Sequence, residues 1–145
     1  MRRIKSFVLL EVIGRGSYST VFRCININEE VPKYYACKVY KRKDMNQRMI
    51  KNLHEEIAAL KKFTGSPKSN VSRFVAVFKT KRHFYTIIDY CNGGDLDSLM
   101  SFGLKLTERQ VQYIFKEVLI AVKELQEKNI IHRDIKNANI LLHLK

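Results

Sequence analysis

The sequence predicts an α+β fold, in which a five-stranded antiparallel sheet with one helix precedes a hinge and the start of a more helical second part. Two kinds of pattern carry this prediction. The first half of the chain has short stretches rich in β-branched and aromatic residues, separated by turn-forming residues. Two longer segments, Met45–Phe63 and Thr107–Lys128, repeat apolar residues at helical spacing. At 145 residues, of which 46% are apolar, the chain is long enough to bury a sizeable core.

Five stretches are predicted to form the sheet. Polar or glycine-containing turns, such as Gly14–Ser17 and Asn28–Lys33, separate neighbouring strands. The helix falls between the third and fourth strands, because apolar residues recur at spacings of three and four between Met45 and Phe63, and Thr64–Asn70 ends it. The predicted strands are Leu10–Ile13, Thr20–Asn26, Tyr34–Tyr40, Arg73–Phe78 and Phe84–Asp89.

The second part of the chain begins at the glycine-containing stretch Cys91–Asp95, where we expect a flexible connection. Thr107 followed by Gln110 is a capping-box pattern, which predicts the start of the strongest helix in the chain. After this helix we expect Ile130–Ile131 and Ile140–Leu142 to be short strands on either side of a polar loop. The apolar face of the helix comprises Val111, Ile114, Phe115, Val118, Val122 and Leu125.

The charge balance is strongly basic, with a net charge of +13. Such an excess attracts nucleic acids and anionic membranes without specificity. The basic residues are spread over predicted turns and helix ends, so we interpret them as solvated surface and expect no specific nucleic-acid partner. The sequence leaves open whether the protein binds acidic partners.

The three cysteines are odd in number and far apart, which argues against a disulfide framework and against a zinc site. We therefore expect an intracellular, cytoplasmic protein. Glu11 interrupts the apolar run near the start, and no later stretch approaches membrane-spanning length, so we expect no targeting or transmembrane segment.

The stretch IGRGSYSTVF puts Gly14 and Gly16 in a turn between two predicted strands. Missing side chains let backbone N–H groups approach phosphate oxygens closely. A plain hairpin turn explains two glycines equally well, and Ser19 takes the place of the third glycine of a G-x-G-x-x-G pattern. A dinucleotide-binding fingerprint does not fit, because a strand rather than a helix follows the loop.

Lys38 stands in the middle of the apolar strand YYACKVY, where Ala36, Lys38 and Tyr40 share one face. A lysine on an edge strand that reaches back to water is the simpler explanation. The following helix favours an inward lysine, because Glu56 lies beside the apolar stripe of that helix while Glu55 turns toward solvent. We therefore predict that Glu56, and not Glu55, pairs with Lys38.

The octet HRDIKNAN runs from His132 to Asn139. Asp134 is a suitable acceptor for a hydroxyl proton, Lys136 is a cation suited to a phosphoryl group, and Asn139 is a neutral oxygen ligand for Mg²⁺. A polar turn between two strands explains neither the order His-Arg-Asp nor the spacing to the final asparagine. The octet therefore predicts phosphoryl-transfer chemistry.

The glycine loop, the strand lysine, the helix glutamate, the hinge and the HRDIKNAN octet together resemble the protein kinase family, in the family's order and over the whole chain. The resemblance implies a two-lobe fold, with an N-lobe at residues 1–89 and the hinge with the first part of a C-lobe at residues 90–145. It implies ATP and Mg²⁺ as cofactors and serine or threonine of a protein as the substrate. Lys136 is the position that resembles Ser/Thr rather than Tyr kinases, and YCNGGDL resembles the autophagy-initiating and NIMA-related groups.

The resemblance also assigns roles to residues. Asp134 would be the catalytic base, with Lys136, Lys38 and Glu56 as further catalytic residues and Asn139 as the metal ligand. The implied ATP-binding residues are the loop Gly14, Arg15, Gly16, Ser17, Tyr18 and Ser19, with Lys38; Ile13, Val21, Ala36 and Leu141 around adenine; the gatekeeper Ile88; Asp89 and Cys91 through hinge backbone groups; and Asp95 facing the ribose.

The Asp-Phe-Gly motif that follows the octet in this family is not among the 145 residues. Two interpretations stay open: an N-terminal part of a Ser/Thr protein kinase, or a non-catalytic nucleotide-binding or interaction module. A small-molecule phosphotransferase of related fold is a third, and Lys136 argues against it. Without the metal-binding aspartate, we expect these 145 residues alone to lack appreciable kinase activity and to be poorly soluble.

Overall fold

The computed structural model describes residues 2–64 and 68–144. The chain divides into two compact units, one made of Met1–Ser66 with Ser72–Tyr90 and the other of Pro67–Val71 with Cys91–Lys145. The first unit contains the sheet and one α-helix, and the second contains the other two α-helices.

The first unit is built on an antiparallel sheet of six strands, which are β1 Arg2–Ile4, β2 Phe7–Arg15, β3 Ser19–Asn26, β4 Tyr34–Lys41, β5 Phe74–Lys79 and β6 His83–Asp89. Their order in the sheet is β1-β2-β3-β4-β6-β5. The prediction of five strands was therefore wrong by one, although the antiparallel sheet itself is present. Three strands also extend beyond their predicted ends, because β2 reaches Arg15, β4 reaches Lys41 and β5 reaches Lys79.

The additional strand, β1, pairs with the start of β2, so that Arg2 lies opposite Leu9 and Ile4 opposite Phe7. Lys5 turns the chain between them with a φ of 53°. Sequence patterning does not predict this strand, because three residues with two arginines show no apolar alternation. Ile4 helps to hold the strand in place, because it packs against the buried core of the sheet.

The two faces of the sheet bury two separate apolar clusters. Strand residues alone form the first, whereas the second lies between the sheet and helix α1, Gln47–Lys61. Asn46 caps α1 by accepting a hydrogen bond from the Met49 N–H at 2.9 Å. The turn predicted at Thr64–Asn70 lies partly outside the described residues. The second cluster comprises Tyr40, Leu53, Ile57, Phe74 and Phe84.

The second unit contains α2, Leu96–Ser101, and α3, Glu108–Glu127. The capping box predicted at the start of α3 is confirmed, because the side chains of Thr107 and Gln110 each bond to the backbone of the other. No helix in residues 2–64 or 68–144 is long and apolar enough to cross a membrane.

The strands predicted on both sides of the HRDIKNAN loop are absent from the described structure. Asn129 has a φ of 55° and ends α3, and the Ile130 N–H bonds back to the Leu125 carbonyl at 2.9 Å. Ile130 therefore belongs to the C-terminal cap of α3. The predicted strand Ile140–Leu142 contributes only an isolated bridge between Leu141 and Asp95.

That bridge holds the stretch that was expected to be a flexible connection. The Gly93 N–H donates to the Leu142 carbonyl, and the Leu142 N–H donates to the Gly94 carbonyl, each at 2.8 Å. A Cβ at Gly93 would lie 2.7 Å from the Leu142 carbonyl oxygen, so a side chain there would force the two segments apart. Gly93 thus serves the close approach of two backbones.

The apolar face predicted for α3 is only partly buried, because Ile114, Val118 and Val122 are half-buried. Leu125 is its only buried member, whereas Val111 is 49% and Phe115 is 62% exposed. The apolar periodicity therefore predicted the helix correctly but did not predict which of its residues are buried.

Candidate functional site

The glycine loop joins β2 to β3 and is closed by a hydrogen bond from the Gly16 N–H to the Ser19 carbonyl at 2.9 Å. Neither Gly14 nor Gly16 has a positive φ. A Cβ at Gly16 would lie 3.1 Å from Ser19 Oγ, so a side chain there would require the Ser19 hydroxyl to shift by a few tenths of an ångström. Tyr18, at the tip of the loop, is 60% exposed.

The strand register groups several predicted ATP-binding residues on one face of the sheet. Val21 lies directly opposite Lys38, and Ala36 lies directly opposite Ile88. Because side chains alternate along β4, Ala36 and Lys38 point to the same face. Ile13, in the irregular part of the β2–β3 pairing, is 40% exposed.

Lys38 Nζ lies 3.2 Å from Glu56 Oε1, whereas Glu55 pairs with Lys51 at 4.0 Å. The pairing predicted from the helical position of Glu56 is therefore confirmed. Partial burial acts to lower the pKa of Lys38, but Tyr40 and Glu56 outweigh it and raise this pKa above the ordinary lysine value. The lysine is thus held as a cation beside the carboxylate.

Asp89, at the end of β6, is held by two cations that the sequence did not single out. Its carboxylate accepts two hydrogen bonds from the Arg73 guanidinium, at 2.8 and 2.9 Å, and one from Lys33 Nζ at 3.0 Å. Partial burial alone would raise the pKa of Asp89, but Arg73 and Lys33 outweigh burial and hold it below the ordinary range. The Asp89 N–H also donates to the Arg73 carbonyl at 3.1 Å.

The HRDIKNAN loop brings its three predicted functional side chains into contact. Lys136 Nζ lies 3.3 Å from Asp134 Oδ2, and Asn139 Nδ2 donates to the same carboxylate oxygen at 3.0 Å and to the Asp134 carbonyl at 2.8 Å. Hydrogen bonding to Lys136 and Asn139 lowers the pKa of Asp134 below its ordinary value. Asp134 is therefore an exposed, ionised carboxylate in a fixed surrounding.

His132 and Arg133 shape this loop, although sequence reasoning gave them no role beyond their place in the motif. The Asp134 N–H donates to His132 Nδ1 at 3.2 Å. Arg133 has a φ of 67°, a conformation that costs a residue other than glycine roughly 1–3 kcal/mol. The order His-Arg-Asp was the only signal in the sequence for this local geometry.

The remaining predicted residues of the second unit have structural contacts of their own. Asp95 caps α2, since its carboxylate accepts from the Ser98 N–H at 2.8 Å and from the Ser98 hydroxyl at 2.7 Å. These bonds lower the pKa of Asp95. Leu141 is 44% exposed beside it, and Cys91 is half-buried.

A magnesium ligand set can be tested against these side chains. In residues 2–64 and 68–144, no three His, Cys, Asp or Glu side chains are grouped to hold a metal. Mg²⁺ needs fewer protein ligands, because it keeps several waters and binds substrate phosphates. Asn139 fits one such ligand, since both of its bonds to Asp134 use the amide nitrogen and direct its oxygen elsewhere.

The chain is similar to known protein kinases along almost its whole length. A family model described as the protein kinase domain matches residues 7–145. The Saccharomyces cerevisiae serine/threonine-protein kinase KIC1 is 34% identical over 139 residues, which are 94% of this chain and 12% of that protein. The Dictyostelium discoideum serine/threonine-protein kinase atg1 is 31% identical over 98% of this chain and 21% of its own length.

A third relative, the Xenopus laevis serine/threonine-protein kinase ULK3, is 34% identical over 97% of this chain and 29% of its own length. The chain thus spans less than a third of each of these relatives. Among solved structures, Rad53 residues 1–466 in complex with AMP-PNP superposes with a TM-score of 0.79 at 25% identity, over 97% of this chain and 36% of that one.

Proposed function

This chain belongs to the protein kinase family, and we propose that it provides the nucleotide-binding and catalytic-loop residues of an ATP-dependent protein serine/threonine kinase. The observation that carries the proposal is the contact of Lys136 and Asn139 with one carboxylate, that of Asp134. A general base must be ionised and held in a fixed position, and the lowered pKa of Asp134 meets the first requirement.

In the proposed reaction, Asp134 accepts the proton of a serine or threonine hydroxyl. The hydroxyl oxygen then bonds to the γ-phosphorus of ATP as the bond to the ADP oxygen breaks. Lys136 stabilises negative charge on the transferred phosphoryl group. Mg²⁺, when bound, neutralises charge on the β- and γ-phosphates, and Asn139 Oδ1 is the ligand that this chain offers.

The residues of the first unit are proposed to bind the nucleotide. Lys38, held by Glu56, pairs with the phosphates, and the backbone of the loop from Gly14 to Ser19 covers them. The apolar side chains Ile13, Val21, Ala36 and Ile88 are proposed to contact adenine. Backbone groups of Asp89 and Cys91 are proposed to bind its edge, and Asp95 the ribose.

Asp95 is the weakest of these assignments, because both of its carboxylate oxygens already accept hydrogen bonds from Ser98. A ribose hydroxyl would have to share an oxygen with the helix cap.

The domain limits, 1–89 and 90–145, are part of the same proposal. We place the activity in the cytoplasm, because Cys24 and Cys37 are buried as thiols, as is usual in a reducing compartment.

We also propose that the 145 residues by themselves lack appreciable turnover. The protein kinase mechanism uses a second metal-binding residue, the aspartate of Asp-Phe-Gly, which is not among them. The alternative, a non-catalytic nucleotide-binding module, differs from the kinase proposal in the behaviour of the full-length protein. Such a module would bind ATP and transfer nothing.

The test is transfer of labelled γ-phosphate from ATP to a mixture of serine-, threonine- and tyrosine-containing peptides by the full-length protein that contains this chain. We expect phosphoserine and phosphothreonine, at a rate within the usual kinase range of about 1–100 s⁻¹. The disabling variant is Lys38→Met, which we expect to abolish transfer. Its matched control is Lys51→Met, which changes a lysine on the exposed side of α1 and should leave transfer unchanged. ATP binding without transfer would favour the non-catalytic module, and phosphotyrosine alone would contradict the assignment of Lys136.

A further inference from the structure

We propose that the first unit carries a second anion-binding site, which takes a phosphate group, on the face of the sheet opposite Lys38. The site is a pocket of about 180 Å³. That is well below the roughly 300–1,000 Å³ of a drug-sized ligand site, and it suits a single phosphate group with its waters. The residues that line it include Arg2, Lys41, His83, Asp44 and the loop residues Gly16–Thr20.

The pocket is separate from the proposed ATP phosphate site because of strand alternation. Val39 and Lys41 line the pocket, and both alternate along β4 with Lys38, so their side chains point to the other face of the sheet. Thr20 and Phe22, which also line the pocket, alternate in the same way with Val21. An anion bound here would contact the outer side of the glycine loop.

Cations converge on this pocket without carboxylate partners. Arg2 Nη2 lies 3.0 Å from His83 Nε2 and 3.4 Å from the Tyr85 hydroxyl, and Lys41 is directly opposite His83 in the β4–β6 register. Within residues 2–64 and 68–144, neither Arg2 nor Lys41 forms an ion pair. Asp44 is the one carboxylate in the lining, so positive charge prevails.

The pKa of His83 responds to its burial and to this excess of positive charge. Partial burial, together with the charges of Arg2, Lys41 and Arg82, lowers the pKa of the His83 imidazole. An anion in the pocket would offset those charges and raise the same pKa. The hydroxyl groups of Ser17 and Thr20, in the pocket lining, supply neutral donors beside the cations.

The experiment titrates inorganic phosphate into the full-length protein at constant ionic strength, while NMR follows the ring signals of His83. We expect a saturable shift of these signals and a rise in the pKa of His83. Arg2→Gln and Lys41→Gln are each expected to weaken binding about tenfold, the scale of one lost charge-assisted hydrogen bond. Lys51→Gln, which removes an exposed lysine of α1, is the control and should bind as the wild type does.

Two further arms separate the sites and the sources of the phosphate. Lys38→Met should leave the His83 response intact, because Lys38 lies on the other face; loss of the response would overturn the proposal. O-phosphoserine at equal affinity would show that a phosphorylated side chain fits the pocket, and weaker binding would restrict it to free phosphate; either result supports the site. A shift that does not saturate, or that chloride reproduces, would overturn it.

Discussion

Arg73 is predicted to stabilise the end of β6, and Arg73→Gln tests this. The substitution removes two charge-assisted hydrogen bonds, at 2.8 and 2.9 Å, from a carboxylate whose side chain is 30% exposed. A single hydrogen bond to a charged group contributes about 1.5–3 kcal/mol. Lys33 would still pair with Asp89, and solvent screens part of the interaction, so we expect a loss of about 2 kcal/mol for the pair of bonds.

The assay is thermal unfolding of the wild type and the variant at neutral pH. For a unit of this size, about 2 kcal/mol corresponds to a fall in the unfolding midpoint of roughly 8–16 °C. Lys51→Gln is the matched control, because its ion pair with Glu55 is at 4.0 Å and both side chains are mostly exposed, so we expect a change below about 0.5 kcal/mol.

The wild type and the Arg73→Gln variant also test in which direction pH changes the stability that Asp89 contributes. The pKa of Asp89 is lowered in the folded chain, so its pairing stabilises the fold above the ordinary aspartate range and loses this effect as the pH falls through the lowered value. The difference between wild type and Arg73→Gln should therefore be full at pH 7 and shrink on acidification. Equal midpoints at pH 7, or a difference that grows in acid, would refute the reasoning.

Three other predictions concern the helices and the catalytic loop. Glu56→Gln should lower kcat/KM for phosphate transfer about 10²-fold, whereas Glu55→Gln should leave it unchanged; equal effects would contradict the pairing with Lys38. Lys136→Met should move the acidic limb of the pH–rate profile to higher pH, because Lys136 lowers the pKa of Asp134; a limb that stays in place would refute that origin. The 145 residues expressed alone should associate through the exposed face of α3, and Phe115→Ser should reduce the association in light scattering; a monomeric wild type would count against it.

The parts of the fold that could be predicted from the sequence are those with local, periodic causes. The capping box at Thr107 and the position of Glu56 beside an apolar stripe each depend on a few residues of one helix. The same reasoning explains why β4 and β6 were found almost to the residue, since both strands are apolar on both faces and end at turn-forming residues.

The parts that could not be predicted depend on contacts far along the chain. The short strand β1 is stabilised by pairing with β2 and by the burial of Ile4, and its own composition shows no strand pattern. The binding of Asp89 by Arg73 and Lys33 joins residues 16 and 56 positions apart. Ile131 was expected in a strand because it is apolar, yet it is 78% exposed.

The central claim is that Asp134 is the base of a phosphoryl transfer to serine or threonine. Its most direct test is the turnover of Asp134→Asn in the full-length protein, with Asp97→Asn, an exposed aspartate in the first turn of α2, as the control. The amide keeps the shape of the side chain but accepts no proton, so turnover should fall by at least about 10²-fold while the control keeps wild-type turnover and ATP binding persists in both. An Asp134→Asn protein that transfers phosphate at the wild-type rate would contradict the claim.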